Sequence, residues 1–193
     1  MQKCVLILSL IGMMAGQECI DYDGNVYETV QIGDQLWMAE NLKTTHYNNG
    51  DEIDNDFGGN WSYYDSNQIG YYVAYDNDLS NINIYGLLYN WFAIDDGRGI
   101  CPEGWHVPSH DDWIELIDFL GGQDVAGDKL KSESFWTENQ ESNPTNSSNF
   151  SALPGGGRWW NSGSFEDLNY GGNFWSYPNY GNYINAFRLN WGY

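Results

Sequence analysis

The chain has 193 residues, enough for one domain that buries a sizeable core. It contains 27 Asp and Glu residues against 7 Lys and Arg residues. The resulting net charge of −20 argues against nucleic acid and anionic membranes as partners, because both require cations on the protein. Aromatic residues make up 17% of the chain, and together with many Gly and Asn residues they favour short strands and turns over a helical bundle.

The first 17 residues have the pattern of a secretion signal. Lys3 is the only charged residue before Glu18, and residues 5–14 form an apolar run that is too short to span a bilayer as a helix. We therefore expect residues 1–17 to be removed on export. Residues 18–193 would form a single secreted or cell-surface domain with no membrane span.

Cysteine usage leaves two alternatives for the exported chain. Cys4 lies in the predicted signal, so Cys19 and Cys101 would remain after cleavage. In an oxidising compartment these two either form a disulfide, which would tie the N-terminal segment to the middle of the chain, or stay as two thiols.

Residues 18–42 predict a pair of strands. A turn motif at 23–25 precedes an alternating segment at 26–32, and Gly33-Asp34 suits a two-residue hairpin turn before a returning strand at 35–38. One face of the alternating segment is expected to hold Val26, Val30 and Ile32.

Residues 43–84 are polar and irregular, which predicts a long surface excursion with one strand at 70–75. Residues 85–94 form an apolar run whose periodicity does not separate helix from strand. We interpret this run as a helix. Its inward-facing residues are expected to be Leu87, Leu88 and Trp91.

The strongest structural pattern lies at 100–120. A Pro-Gly turn and a short extended run lead to Ser109, a natural N-cap whose capping-box partner is Asp112. The helix that follows ends at the glycines 121–122. Its apolar stripe is Trp113, Leu116, Ile117 and Leu120.

After a second polar region, the C-terminal part predicts short strands between Gly- and Asn-rich turns. The expected strands are 150–154, 158–160, 173–177 and 183–191. In the last strand one face is expected to hold Tyr183, Asn185, Phe187, Leu189 and Trp191.

No catalytic pattern is present in the sequence. The three histidines lack HExxH spacing, and no G-x-S-x-G elbow occurs. His106 and His110 could hold a metal with Asp111 at the helix start, but we interpret all three as surface or turn-packing residues. We therefore expect a protein that is not an enzyme.

Two oxygen-rich loops are candidates for binding Ca²⁺. The first contains Asp21 and Asp23, and the second contains Asp76, Asn77 and Asp78. The first loop lacks the sixth-position Gly and the distal Glu of an EF-hand. For either loop the alternative interpretation is an Asx turn that faces solvent.

Aromatic residues near the C-terminus form a candidate glycan-binding surface. They are Trp159, Trp160, Trp175, Tyr177 and Tyr180. Flat rings stack on sugar rings, and neighbouring Asn side chains can bond the hydroxyls. Two consecutive Trp residues on one strand point to opposite faces, so one of Trp159 and Trp160 is expected to be exposed. The alternative is that these rings fill a loop-rich core.

Five stretches of the sequence, in this order, resemble the Fibrobacter succinogenes major paralogous domain family. They are DGNVYETVQIGDQLWMAENL (23–42), YGLLYNWFAI (85–94), CPEGWHVPSHDDW (101–113), FSALPGGGR (150–158) and GGNFWS (171–176). The segment HVPSHDDW is also similar to a corner of the formylglycine-generating, sulfatase-modifying proteins. The resemblance implies an α+β, C-type-lectin-like fold with two short helices, a small twisted mixed or antiparallel sheet and long loops.

The same resemblance implies a closing C-terminal strand whose Cys pairs with the Cys of the CPxGW motif, here Cys101. The sequence stops at Tyr193, so we expect that strand to be missing. Formylglycine-generating relatives use two cysteines in their C-terminal part. No Cys follows Cys101, so that chemistry is not expected here.

The hypothesis that results is a secreted or cell-surface, non-catalytic module that binds extracellular carbohydrate or a surface protein. One alternative is a self-assembling fibre or surface-layer subunit, in which an open sheet edge pairs with a neighbour. A second alternative is an enzyme of the formylglycine-generating type, which the missing cysteine pair disfavours.

Overall fold

The computed structural model describes residues 4–7, 19–138, 142–159, 161–177 and 185–190. Within these residues short strands and short helices alternate, because Gly, Asn and Asp interrupt most apolar runs. The fold is therefore mixed α+β, with several small sheets, in agreement with the α+β class that the family resemblance implies.

The strands of the described residues form four small sheets, with orders β1-β5-β4, β2-β3, β6-β7-β8 and β10-β9-β11-β12. The strands are β1 (Val5–Ile7), β2 (Cys19–Ile20), β3 (Val26–Tyr27), β4 (Thr29–Ile32), β5 (Gln35–Met38), β6 (Asp54–Asn55), β7 (Tyr71–Val73), β8 (Leu88–Tyr89), β9 (Gly155–Arg158), β10 (Phe165–Leu168), β11 (Gly171–Ser176) and β12 (Asn185–Asn190).

The α-helices are α1 (Trp61–Ser66), α2 (Ile82–Tyr85), α3 (Trp91–Ile94), α4 (His110–Phe119) and α5 (Gln123–Leu130). Single 3₁₀ turns occur at Tyr75–Asn77 and Leu79–Asn81. Within the described ranges no helix has the length and apolar character that a bilayer crossing requires.

The predicted hairpin of β4 and β5 is confirmed. Ile32 lies opposite Gln35, and Gly33 in the turn has a φ of +60°, which an L side chain rarely adopts. The predicted position of Val26 is wrong. This residue is 63% exposed in β3, where Tyr27 is the buried residue, because the strand is interrupted before Thr29 and the alternation restarts.

A single helix over 85–94 is also wrong. The helix α2 ends at Gly86, whose φ is +69°, and the next residues leave the helix to form β8, where Leu88 pairs with Val73. Asn90 then caps a new helix, because its side chain accepts a hydrogen bond from the third residue after it. The residues predicted to face inward are all at least partly buried: Leu87, Leu88 and Trp91.

The capped helix α4 is confirmed. The Ser109 hydroxyl accepts a hydrogen bond of 3.2 Å from the Asp112 backbone N–H, and the Asp112 carboxylate accepts one of 2.7 Å from the Ser109 backbone N–H. The predicted stripe faces the core, where the Trp113 ring stacks on Phe187 at 4.3 Å. Other core residues around this helix are Trp37, Leu116, Ile117, Leu120, Phe150, Phe174 and Leu189.

The C-terminal sheet differs from the prediction at its start. Residues 150–154 make only one bridge, between Ala152 and Lys131, because Asn149 and Ser151 have positive φ and interrupt an extended strand. The strand begins instead at Gly155, directly after the proline. From there β9 pairs in parallel with β11, and β11 pairs along its whole length with β12.

Of the two alternatives for the cysteines, a disulfide between Cys19 and Cys101 does not form in the structure. Cys101 forms its disulfide with Cys4. Cys4 directly precedes β1, and the pairing of β1 with β5 places it beside Cys101. Cys19 is a buried free thiol beside Tyr27, and burial raises its pKa to about 12. Cys4 lies in the predicted secretion signal, so cleavage of that signal would remove the partner of Cys101.

Candidate functional site

A cleft of about 620 Å³ opens where β7, β8 and α3 meet β9 and β11. We call it the aromatic cleft. Its lining includes seven aromatic residues: Tyr71, Tyr89, Trp91, Phe92, Trp159, Phe174 and Trp175. A second cavity, of about 510 Å³, has no aromatic residue in its lining. The aromatic cleft is therefore the stronger candidate for a ligand site.

Trp175 is fixed in the cleft by its polar edge. Its indole N–H donates a hydrogen bond of 2.9 Å to the carbonyl of Tyr89, and its ring lies 5.7 Å from the ring of Trp91. Two residues further along the chain, the ring of Tyr177 lies 5.4 Å from the same Trp91. The Tyr177 hydroxyl donates to the carbonyl of Ile94 at 2.9 Å, so Tyr177 supports Trp91.

Trp159 also lines the cleft, in the hairpin between β9 and β10. Its backbone N–H donates to Ser164, and its carbonyl accepts from Gly163, which makes this turn tight. The turn fits closely on α1, because a Cβ on Gly163 would collide with the Trp61 indole. The side-chain N–H of Trp159 is buried and has no hydrogen-bond partner among the described residues.

Arg158 precedes Trp159 and is held from two directions. One guanidinium nitrogen lies 2.5 Å from a carboxylate oxygen of Asp56, and Nε donates to the carbonyl of Gly163 at 3.0 Å. The side chains of Arg158 and Asp56 are 7% and 0% exposed. A buried pair of this kind is stable only when each charge keeps its partner.

Asp65 supplies a carboxylate to the cleft lining. Burial raises its pKa, and the hydrogen bond from Asn90 and the charge of Arg158 offset this only in part. Tyr71 is adjacent in this wall; burial and the Asp65 charge raise the pKa of its hydroxyl, which keeps it neutral.

Asn90 organises this wall of the cleft. Its side-chain oxygen accepts hydrogen bonds from the backbone of Tyr71 and Ala93, at 2.9 and 3.1 Å. Its amide donates to the carbonyl of Ile69 at 2.9 Å and to Asp65 at 3.3 Å. One side chain thus joins the end of α1, β7 and the start of α3.

The structure brings together part of the predicted glycan surface. Trp159 and Trp175 line the cleft, and Tyr177 packs behind it, whereas Trp160 and Tyr180 lie outside the described residues. Sequence reasoning missed several lining residues: Asp65, Tyr71, Asn90, Trp91 and Arg158. Only Asn90 had a local signal, since an Asn before an apolar run is a helix N-cap pattern.

The first predicted Ca²⁺ loop has a structural role. The Asp21 carboxylate accepts hydrogen bonds from the backbone and side chain of Asn25, at 2.9 and 2.8 Å, and from the Tyr27 hydroxyl. Asp23 pairs with His46 at 2.5 Å and also accepts from two threonine hydroxyls. These bonds fasten the β2–β3 hairpin to the segment that follows β5, and they occupy the carboxylate oxygens.

The second predicted loop is a turn and a cap. Asp76 and Asn77 both have a φ of +57°, and the Asp78 carboxylate accepts a hydrogen bond of 2.9 Å from the backbone of Ser80. Across the part of the chain that the structure describes, no three His, Cys, Asp or Glu side chains gather in a way that could hold a metal ion. The alternative interpretation of these loops as Asx turns fits their geometry.

The comparisons with known proteins give one match. A model of the Fibrobacter succinogenes major domain family matches residues 30–190, which include every residue of the aromatic cleft. No curated protein and no solved structure matches the chain.

Proposed function

The chain belongs to the Fibrobacter succinogenes major domain family, and from that premise we propose that it is a non-catalytic module that binds extracellular carbohydrate in the aromatic cleft. The observation that supports this most is the lining, in which seven aromatic residues accompany a few fixed polar groups. The volume of about 620 Å³ also lies within the range of small-molecule sites.

The aromatic lining suits a saccharide for a physical reason. A pyranose ring presents C–H groups on its faces and hydroxyls around its rim, so it needs flat apolar surfaces with polar groups beside them. Tyr and Trp supply rigid area at a low cost in conformational entropy. Trp91 and Trp175 are already fixed by their contacts with Tyr177 and Tyr89, so ordering them on binding costs little.

Two further parts of the proposal concern fold and location. We propose a C-type-lectin-like arrangement and secretion or surface display, with residues 1–17 as the signal. Intact-mass measurement of exported protein tests the second part. A chain that begins near residue 18 supports secretion with cleavage, whereas a chain that retains Cys4 in a disulfide with Cys101 contradicts removal of the signal.

Tryptophan fluorescence during titration with a panel of neutral, acidic and amino oligosaccharides tests the binding proposal. We expect at least one class to change the emission, with and without added Ca²⁺. Trp159→Ala should weaken this binding, whereas Trp136→Phe, outside the cleft, should leave it unchanged. If no oligosaccharide changes the emission, or if Trp159→Ala binds as well as the wild type, the proposal is wrong.

Light scattering distinguishes the binding module from the alternative, a self-assembling subunit. A stable monomer at high protein concentration argues against a fibre or surface-layer subunit, whereas growth of the particles with concentration argues for it.

A further inference from the structure

We propose that the aromatic cleft takes a saccharide with a free, positively charged amino group, and that Asp65 is the partner of that group. This inference rests on the proposed function, because it names the substrate class of the same cleft.

The first step is the balance of charge in the cleft. Arg158 and Asp56 lie 2.5 Å apart with almost no exposure, so each neutralises the other. Asp65 has no such partner: among the described residues no Lys, Arg or His nitrogen lies within ion-pairing distance of it. Its hydrogen bond comes from the neutral amide of Asn90, at 3.3 Å. Asp65 is therefore the charged group of the described lining that has no ion-pair partner.

The second step is the environment of that charge. Each element around Asp65 presents an identifiable group: Asn90 at the start of α3, Tyr71 on β7, Arg158 on β9, and Asp56 after β6. Arg158 is the cation among them; its charge lowers the pKa of Asp65, and the charge of Asp56 acts in the opposite direction. A half-buried carboxylate in this setting has lost part of its hydration without gaining an ion-pair partner, and burial raises its pKa more than Asn90 and Arg158 lower it. A bound ammonium group would supply that counter-ion.

The third step is the aromatic lining. The face of a Trp or Tyr ring attracts a cation, and this attraction strengthens when water is excluded. A carboxylate beside aromatic faces thus recognises an ammonium group in two ways, by a charge-assisted hydrogen bond and by contact with the rings. The net charge of −20 on the whole chain acts in the same direction over longer distances.

Other sugar classes fit this arrangement less well. A uronic acid would place a second carboxylate near Asp65, and Arg158, the cation among the described lining residues, is already paired. A neutral sugar could stack on the rings, but it would leave Asp65 buried further without a counter-ion, which costs free energy.

Calorimetric titration of the full chain with three β-1,4-linked tetrasaccharides of equal length tests the inference: one of glucosamine, one of N-acetylglucosamine and one of glucose. The pH is chosen so that the amine is protonated and Asp65 is ionised. We expect the glucosamine oligomer to bind at least about tenfold more tightly than the other two. Asp65→Asn should abolish that preference. Asp54→Asn, which changes an exposed carboxylate of β6, should retain it.

The possible outcomes separate the two proposals. If all three oligomers bind the wild type equally, the inference about Asp65 is overturned and the carbohydrate proposal stands. If none binds, the carbohydrate proposal itself is overturned. A thermal melt verifies that Asp65→Asn is folded. The salt dependence of wild-type binding gives a readout without any substitution: affinity for the glucosamine oligomer should fall as salt rises, and a salt-independent affinity contradicts the inference.

Discussion

The indole N–H of Trp175 and the carbonyl of Tyr89 form a hydrogen bond of 2.9 Å between residues that are 86 positions apart in the sequence. The bond joins β11 to β8, and both residues line the aromatic cleft. Trp175 therefore has two roles that substitution can separate: it presents a ring to the cleft, and it fastens one sheet to another.

Trp175→Phe keeps an aromatic ring and removes the hydrogen bond, so we expect a loss of about 1 kcal/mol in the free energy of unfolding. Trp175→Ala also removes the packing on Trp91, and the loss should reach about 3 kcal/mol. Urea unfolding measures both. The interpretation of the bond is wrong if Trp175→Phe is as stable as the wild type.

Because Gly163 packs closely on Trp61, adding one methyl group at this position should lower the free energy of unfolding strongly. Gly163→Ala meets both a positive φ of +69° and a collision with the indole. Gly59→Ala is the matched control, because Gly59 has a φ of +76° and an added Cβ there would have no atom within 4 Å. The control should lose about 1–2 kcal/mol from backbone strain alone.

Gly163→Ala should lose more stability than its control and should also weaken ligand binding, since Gly163 bonds Trp159 and Arg158 in the cleft wall. Chemical denaturation and fluorescence titration measure the two effects. If Gly163→Ala and Gly59→Ala lose the same free energy of unfolding, the contact between the turn and α1 does not contribute to stability.

The two arginine–aspartate pairs of the C-terminal sheet should respond differently to substitution. Arg158→Ala leaves the buried Asp56 charge without a partner, and we expect a loss of about 3–5 kcal/mol. Arg188 and Asp167 are 38% and 29% exposed, so Arg188→Ala should cost about 1 kcal/mol or less. Guanidinium unfolding compares the two. Adding Asp56→Asn to Arg158→Ala should recover part of the loss, and no recovery would contradict this explanation.

Low pH should reduce the stability that the Ser109–Asp112 capping box at the start of α4 provides. Burial alone would raise the pKa of Asp112, but hydrogen bonds from His106 and from the backbone and hydroxyl of Ser109 outweigh it, so the pKa is lowered from 3.8. The unfolded chain then takes up this proton at a higher pH than the folded chain does. The stabilisation is complete above the unfolded pKa and is lost as the pH falls through the folded one.

Urea unfolding over a range of acidic pH measures this effect. Asp112→Asn should lower stability near neutral pH by about 1 kcal/mol and should flatten the decline in acid. Asp118→Asn, on the exposed side of the same helix, should decline as the wild type does. Identical slopes for all three proteins would show that Asp112 does not contribute.

Some of this fold was predictable because the partners lie close in sequence. Ser109 and Asp112 are three residues apart, and the hairpin turn at Gly33 needs only its two flanking strands. The helix α5 was missed because its polar sequence has few apolar residues; those that enter the core are Ala126 and Leu130.

Other features depend on distant residues and left no local pattern. The apolar run at 85–94 is divided because Leu88 pairs with Val73, and no periodicity within the run reveals that partner. The aromatic part of the cleft was predicted from residue type alone. Asp65 and Asn90 meet Arg158 and Trp175 only after the sheets assemble, so no local pattern predicts their proximity.

Because the walls of the cleft come from segments that are far apart in the chain, any ligand that fills it would act as a noncovalent tie between them. A ligand that binds only the folded chain adds about 2.7 kcal/mol to its stability at a concentration of 100 times the Kd. The melting temperature therefore reports occupancy for compounds of any chemistry. A library of candidate glycans can be ranked by heating alone, and limited proteolysis of the β9–β10 hairpin should slow in the same order.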